Sequence, residues 1–228
     1  MGTKREIIYD VMEKLNINSD DMDITEEYLS HLINVKRALL IKQRFNEKLK
    51  SIPINLTQEL CLELELIDNV EGEACLGQIL RTKDKIPKLI DLSGKDTILS
   101  IKTYDRKHIP FNLIPIERMP FVGNNRWLAG MIYVALDSDM RLYFMSNKDS
   151  HRLLEMIKAA GVFEDPEDAT ELMCEQPDNS NEPCDPLDRE FPMEDYMISD
   201  LVSMIVKELA PAIQIPQDNK NDSDGDRQ

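Results

Sequence analysis

The stretch LCLELEL, residues 60–66, sets Leu60, Leu62, Leu64 and Leu66 against Cys61, Glu63 and Glu65 in strict alternation. A period of two is the pattern of a half-buried strand, so the chain must hold a sheet. Upstream the period changes. In TKREIIYDVMEKL (3–15), Ile7, Ile8, Val11, Met12 and Leu15 form one apolar stripe at helical spacing. After a polar break, Asp23 reads as an N-cap with Glu26 three positions on. No Gly or Pro then occurs from Ile24 to Lys50, and Tyr28, Leu32, Val35, Leu39 and Leu49 keep helical spacing. The expected helix has roughly 26 residues and is about 40 Å long. Ser51-Ile52-Pro53 ends it.

Downstream, residues 79–90 suggest a second extended segment with Pro87 at an edge or irregular position, and 97–103 a third. Residues 131–136 and 141–145 flank Asp137-Ser138-Asp139-Met140, the clearest hairpin of the chain. Between Tyr104 and Trp127, Pro110, Pro115, Pro120 and Gly123 predict a long irregular loop. Ser150 is read as capping a helix through Leu153, Leu154, Met156 and Ile157 that Gly161 terminates. A short helix starts at Pro166 and ends near Cys174. Pro177, Pro183, Pro186 and Pro192 make 175–192 an extended acidic arm. Met197, Leu201, Ile205 and Leu209 return to helical period, with Val202 and Val206 widening the stripe, before Pro211 and Pro216 interrupt it.

The fold expected is α+β: an N-terminal long-helix bundle with an inserted small antiparallel β-sheet and a C-terminal extended arm plus helix. Its parts are an N-terminal helical hairpin (1–52), a β-rich, loop-rich middle (53–148), helices packing on the body (149–174), the arm (175–192), an amphipathic helix (193–215) and a disordered acidic tail (216–228). That amphipathic helix needs a surface for its apolar face, either its own body or a neighbouring subunit.

The 228 residues carry a net charge of −16, distributed unevenly. Residues 1–163 hold 24 acidic and 23 basic side chains, and residues 164–228 hold 19 and 4. The near-neutral body argues against a protein that coats DNA or adheres to anionic lipid. Within it, Arg81–Arg126 holds 10 basic and 5 acidic residues. The long helix is polarised, with Asp20, Asp21, Asp23, Glu26 and Glu27 at one end and Lys36, Arg37, Lys42, Arg44, Lys48 and Lys50 beyond. This suits the helix dipole first, and after that an acidic partner surface or DNA phosphate. No apolar run reaches membrane-spanning length, and Met1–Tyr9 lacks the apolar core of a signal peptide, so a cytosolic, reduced protein is expected.

Catalytic and metal chemistry finds little support. Cys61, Cys75, Cys174 and Cys184 include no C-x-x-C pair and read as buried or incidental thiols in preference to zinc ligands or a disulfide framework. His31, His108 and His151 have no local Ser or Cys arrangement for a nucleophile. P-loop, G-x-G-x-x-G and H-E-x-x-H motifs are missing, and Asp178–Asp188 lacks the Gly and Glu of an EF-hand. Neither an enzyme nor a cofactor is expected.

Read together, TKREIIYDVMEKL (3–15), DITEEYLSHLINVKRALLIKQ (23–43), LCLELEL (60–66), ILRTKDKIP (79–87), YVALDSDMRLYF (133–144), GVFEDPEDA (161–169), CDPLDREFPM (184–193) and LVSMIVKELAPAIQIPQDNKND (201–222) resemble, in collinear order, the head-to-tail ring (adaptor) proteins of crAss-like tailed bacteriophages. The resemblance implies a virion protein, made in the host cytoplasm. It would assemble as a ring, expected to be a dodecamer, beneath the portal protein and beside other ring or tail-hub proteins. DNA would pass through its channel without sequence-specific binding, and no membrane would be involved. Exposed charge and the C-terminal stripe nominate Lys36, Arg37, Lys42, Arg44, Arg106, Lys107, Arg126, Trp127, Asp185, Asp188, Met197, Leu201, Ile205 and Leu209 as ring or partner contacts. Arg106, Lys107, Phe111, Arg126 and Trp127 could stack on bases or grip a protein. The rival readings are a monomeric nucleic-acid-binding or regulatory factor using residues 36–50 and 81–127, and an assembly scaffold or chaperone.

Overall fold

The computed structural model describes residues 2–15, 24–47, 50–68, 78–92, 98–105, 109–122, 130–174 and 185–213. Helix α1 (Lys4–Lys14) starts with a complete capping box: Glu6 N–H donates to Thr3 Oγ1, and Thr3 N–H donates to Glu6 Oε2. Helix α2 (Glu26–Phe45) is capped by Thr25, whose Oγ1 accepts from Tyr28 N–H at 3.2 Å. The cap is Thr25, two residues past the expected Asp23, which lies outside the described residues, and the helix stops at Phe45, short of Lys50.

Seven strands follow: β1 (Gln58–Asp68), β2 (Gln78–Thr82), β3 (Ile98–Thr103), β4 (Phe111–Leu113), β5 (Ile132–Leu136), β6 (Leu142–Met145) and β7 (Met156–Gly161). Their order across one sheet is β3-β7-β1-β2-β6-β5-β4. Strand β1, built on the Leu60–Leu66 alternation, is the pivot. Its first half pairs with β7 (Gln58 opposite Gly161) and its second half with β2 (Leu64 opposite Thr82). Leu60, Leu62 and Leu64 share one cluster with Leu80, Ile98, Val134, Phe144 and Ile157, and Phe111 of β4 packs on it. Strands from both ends of the order thus contribute to a common interior. The sheet therefore curls into a nearly closed barrel.

This corrects the expected architecture. The class is α+β, but the sheet is a seven-stranded curled body and not a small insert. Nor do the helices form an N-terminal bundle: α1 and α2 pack with α4 (Asp195–Ile213), which comes from the other end of the chain. The main physical cause is β7. Residues 156–161 were expected to be helical, yet Ile157, Ala159 and Gly161 are buried and alternate with half-buried neighbours, a period of two that places the segment between β3 and β1. Only a short 3-10 turn, Asp149–Leu153, precedes it. Strand β4, parallel to β5, occupies part of the stretch expected to be wholly irregular. The hairpin over Asp137–Met140 joins β5 and β6 as expected, with Met140 at φ 62°. The Pro166 helix, α3, is confined to Pro166–Thr170.

The cysteine expectation is also corrected. The free edge of β1 binds the segment after α3: Cys61 N–H donates to Leu172 O at 2.8 Å, and Leu60 bridges Met173. That brings Cys61 and Cys174 to a Cα separation of 4.8 Å, and they form a disulfide. No local motif announces a pair separated by 113 residues.

The helical layer and the barrel meet at Arg37, which is 0 % exposed. Its guanidinium donates to Phe163 O at 2.8 Å, just after β7, and to Pro192 O at 3.0 Å, just before α4. It also lies over the Phe191 ring at 5.7 Å. Burial pulls its pKa down to about 9, opposed by Asp165, so it stays charged at neutral pH. Arg37→Ala removes the donor to two buried carbonyls and leaves a cavity, so chemical denaturation should show a loss of about 3 kcal/mol or more. Arg37→Lys, which lacks the planar fork, should lose most of that as well.

In oxidised, denatured protein, thiol labelling with peptide mapping should find Cys61 and Cys174 blocked, and reduction should make both reactive. Reduction should lower the unfolding free energy by at most about 5 kcal/mol, the loop-closure value for a loop of this size.

Candidate interaction surfaces

Long polarised helices normally invite a search for external partners of the charge. Here the charges are answered within the chain. Lys36 pairs with Glu208 and Arg44 with Asp200, both on α4, and Arg44 also lies 5.3 Å from the centre of the Tyr196 ring. Arg5 of α1 pairs with Asp185 and Asp188, which sit on the 3-10 turn Pro186–Asp188. Lys4, 2 % exposed, reaches Glu167 of α3. Such pairs are each worth about 0–1 kcal/mol where solvent reaches them. They select the orientation of α4, while the apolar stripe supplies most of the energy. Met197, Leu201, Val202, Ile205 and Leu209 are all at most 4 % exposed, and each buried side chain of this size contributes about 1.5–3 kcal/mol.

Of the residues nominated from sequence, Met197, Leu201, Ile205 and Leu209 therefore sit in the helical core of their own chain. Asp185 and Asp188, at the described end of the arm, dock on α1. Arg37 is buried, and Lys36 and Arg44 face α4. Lys42 stays near the surface, 3.6 Å from Asp91. Arg106, Lys107, Arg126 and Trp127 lie outside the described residues, as does arm segment 175–184.

Two surface features were not singled out from sequence. The first is a groove of about 380 Å³ beside α2, lined by His31, Asn34, Val35, Leu39, Asp91 and Asp165 among others. Val35 and Leu39 are 46 % and 40 % exposed. Sequence spacing placed them with Leu32 on one stripe, but the buried face of α2 runs through Leu29, Leu32, Ile33, Leu40 and Ile41. The helix has more apolar residues than one buried face needs, and that surplus was the available signal. The second feature is the 3-10 turn Ile116–Phe121, anchored on β5 by Met119 at 1 % exposure, with Phe121 left 81 % exposed.

A larger cleft of about 890 Å³ is lined by Glu63, Lys83, Thr103, Tyr104 and His151 among others. At its wall, Ser146 Oγ and His151 Nδ1 are 2.6 Å apart, and the same oxygen accepts from Lys148 N–H. A Ser–His contact is half of a nucleophilic arrangement. Here, however, Ser146 Oγ is tied to the backbone of the turn, and the pair's effect is to fasten the turn Asp149–Leu153 to the end of β6. Among the described residues no group of three His, Cys, Asp or Glu side chains is placed to hold a metal ion, and no helix is long and apolar enough to cross a membrane.

Burial, and to a lesser extent Lys148, lower the His151 pKa. Its folded pKa lies below the unfolded value near 6.5, so the unfolded state takes up the proton first as pH falls. Stability should be fully present above about pH 6.5 and decline below it. His151→Gln should flatten that decline between about pH 6.5 and pH 5 in denaturation curves of the two proteins.

Comparison with known proteins gives concordant results. The family described as phage tail ring protein 2 matches residues 6–227. The chain is 32% identical over 225 residues, 98% of its own length and 97% of the relative's, to Ring protein 2 of Bacteroides phage crAss001.

Proposed function

This chain belongs to the phage tail ring protein 2 family and is a structural ring protein of a phage virion, and from that premise we propose that it is one tier of the head-to-tail connector. In this reading a dodecamer, matching the portal's symmetry, binds beneath the portal, extends the DNA channel and carries the tail components below it.

The observation that carries the reading is the end-to-end family match, from residue 6 to residue 227. The distribution of charge supports it. A free monomeric DNA-binding factor would present Lys36, Arg37 and Arg44 to phosphate, but α4 and the core take them up. Among the described residues, α2 leaves Val35 and Leu39 exposed beside Asp91, features suited to protein contact. Where the acidic residues of 164–228 face the channel, they would also repel DNA and let it slide.

Mass photometry of the purified chain mixed with purified portal tests the connector role. The expected result is a portal complex heavier by one ring. Persistent separation of portal and chain, with the chain present in virions, would leave it a ring protein of the tail but not the portal's neighbour.

A further inference from the structure

A ring made of one kind of subunit needs two different patches on each copy, one to offer and one to receive. The groove beside α2 has the character of a receiver. Its wall is apolar at Val35 and Leu39, and its rim carries three acids: Asp91, 85 % exposed and 3.6 Å from Lys42; Glu164, paired with Lys88; and Asp165, which caps α3. Asn34, 6 % exposed, lines the groove, and its side-chain oxygen has no hydrogen-bond partner. A buried amide oxygen without a donor costs about 1–3 kcal/mol and marks a place where a donor is missing.

The turn Ile116–Phe121 has the complementary character. In a 3-10 helix residues three apart eclipse, so Arg118 and Phe121 share a face. Both are exposed, and Arg118 forms no ion pair among the described residues. Pro115 and Pro120 stiffen the turn and Met119 anchors it, so little conformational freedom remains to be lost on docking. The turn offers an aromatic ring to an apolar slot, and a guanidinium to an acidic rim and an unpaired amide oxygen. Its place on the chain is also distinct: it packs on β5 near one end of the strand order, whereas α2 packs on the other helices.

We infer that the α2 groove is the receiving half of the subunit contact, and that its occupant is the Arg118–Phe121 turn of a second copy of this chain. The inference rests on the ring reading and deepens it by naming the two faces. Phe121 enters beside Val35 and Leu39, and Arg118 faces Asp91 and Asp165. Because the two patches differ, the contact propagates head to tail, and with a rotation that divides a full turn it closes as a ring.

Site-directed cross-linking of the full chain tests it. In a background with Cys75→Ser and Cys184→Ser, one chain carries Leu39→Cys and another Phe121→Cys, and a short bismaleimide is added. The expected product is a covalent dimer in the mixture only, and a ladder of higher oligomers when one chain carries both substitutions. Arg118→Glu should weaken association roughly tenfold, and Asp91→Lys should restore part of it. Both residues are exposed, so at concentrations where the chain is monomeric the thermal midpoint should move little. Oligomers in native mass spectrometry without a 39–121 link, or with 39–39 links alone, would overturn the inference and leave the ring reading standing. A chain that stays monomeric and unlinked at high concentration would also overturn it. The ring reading itself falls if the chain is missing from the virion or forms no ring there.

Discussion

A single buried guanidinium ties together segments that are remote in sequence. Arg37 is on the second helix, yet it satisfies Phe163 O where the chain leaves the barrel and Pro192 O where it enters the last helix. Both carbonyls would otherwise face a low-dielectric interior, where an unpaired acceptor is costly. The arrangement fixes where α2 sits on the sheet, and it fixes where α4 begins. From that start, α4 lays its stripe along α1 and α2, and the acidic residues of the C-terminal quarter reach Arg5, Lys36 and Arg44. The desolvation of Arg37 is offset in part because Nε and Nη1 serve two carbonyls and the plane lies over an aromatic face, while Nη2 finds no partner among the described residues.

Uneven charge along the sequence acquires a different meaning in this light. A near-neutral N-terminal portion and an acidic C-terminal one looked like two surfaces awaiting external partners. In the folded chain Lys36 and Arg44 are already matched by Glu208 and Asp200, across separations of more than 150 residues. External contacts must then come from what folding leaves over. What is left uncovered among the described residues is a groove with exposed Val35 and Leu39 above an acidic rim, and a turn that exposes Phe121 and Arg118. Ring closure asks for a pair of unlike patches on one chain, and these two are unlike in shape and in charge.

The parts of the fold legible in the sequence are those whose signal is local. The Leu60–Leu66 alternation, the stripe of α1, the β5–β6 hairpin and the Met197–Leu209 stripe each needed only a few neighbouring residues to read. Family membership was legible too, because many short segments agreed in order. The unreadable parts depended on tertiary context. Residues 156–161 contain two alanines and a lysine that suit a helix, and only pairing with β1 and β3 on both sides makes them a strand. The Cys61–Cys174 disulfide exists because the 172–173 segment covers an edge of β1, a fact without a sequence motif. Arg37 looked like one more surface cation, since nothing local distinguishes a charge that solvent reaches from one that two distant carbonyls enclose. The surface patches escaped notice for a related reason: exposure of Phe121, Val35 and Leu39 is decided by what fails to cover them.

The central claim is that this chain is a ring-forming virion subunit whose charged helices are satisfied internally and whose neighbours meet through unlike faces. A reconstruction of the virion's portal vertex at side-chain resolution tests it most directly. The account predicts a closed ring of this chain in which α4 packs on α1 and α2 of the same copy, with the α2 groove turned toward the adjacent copy. A vertex that holds no ring of this chain would contradict it.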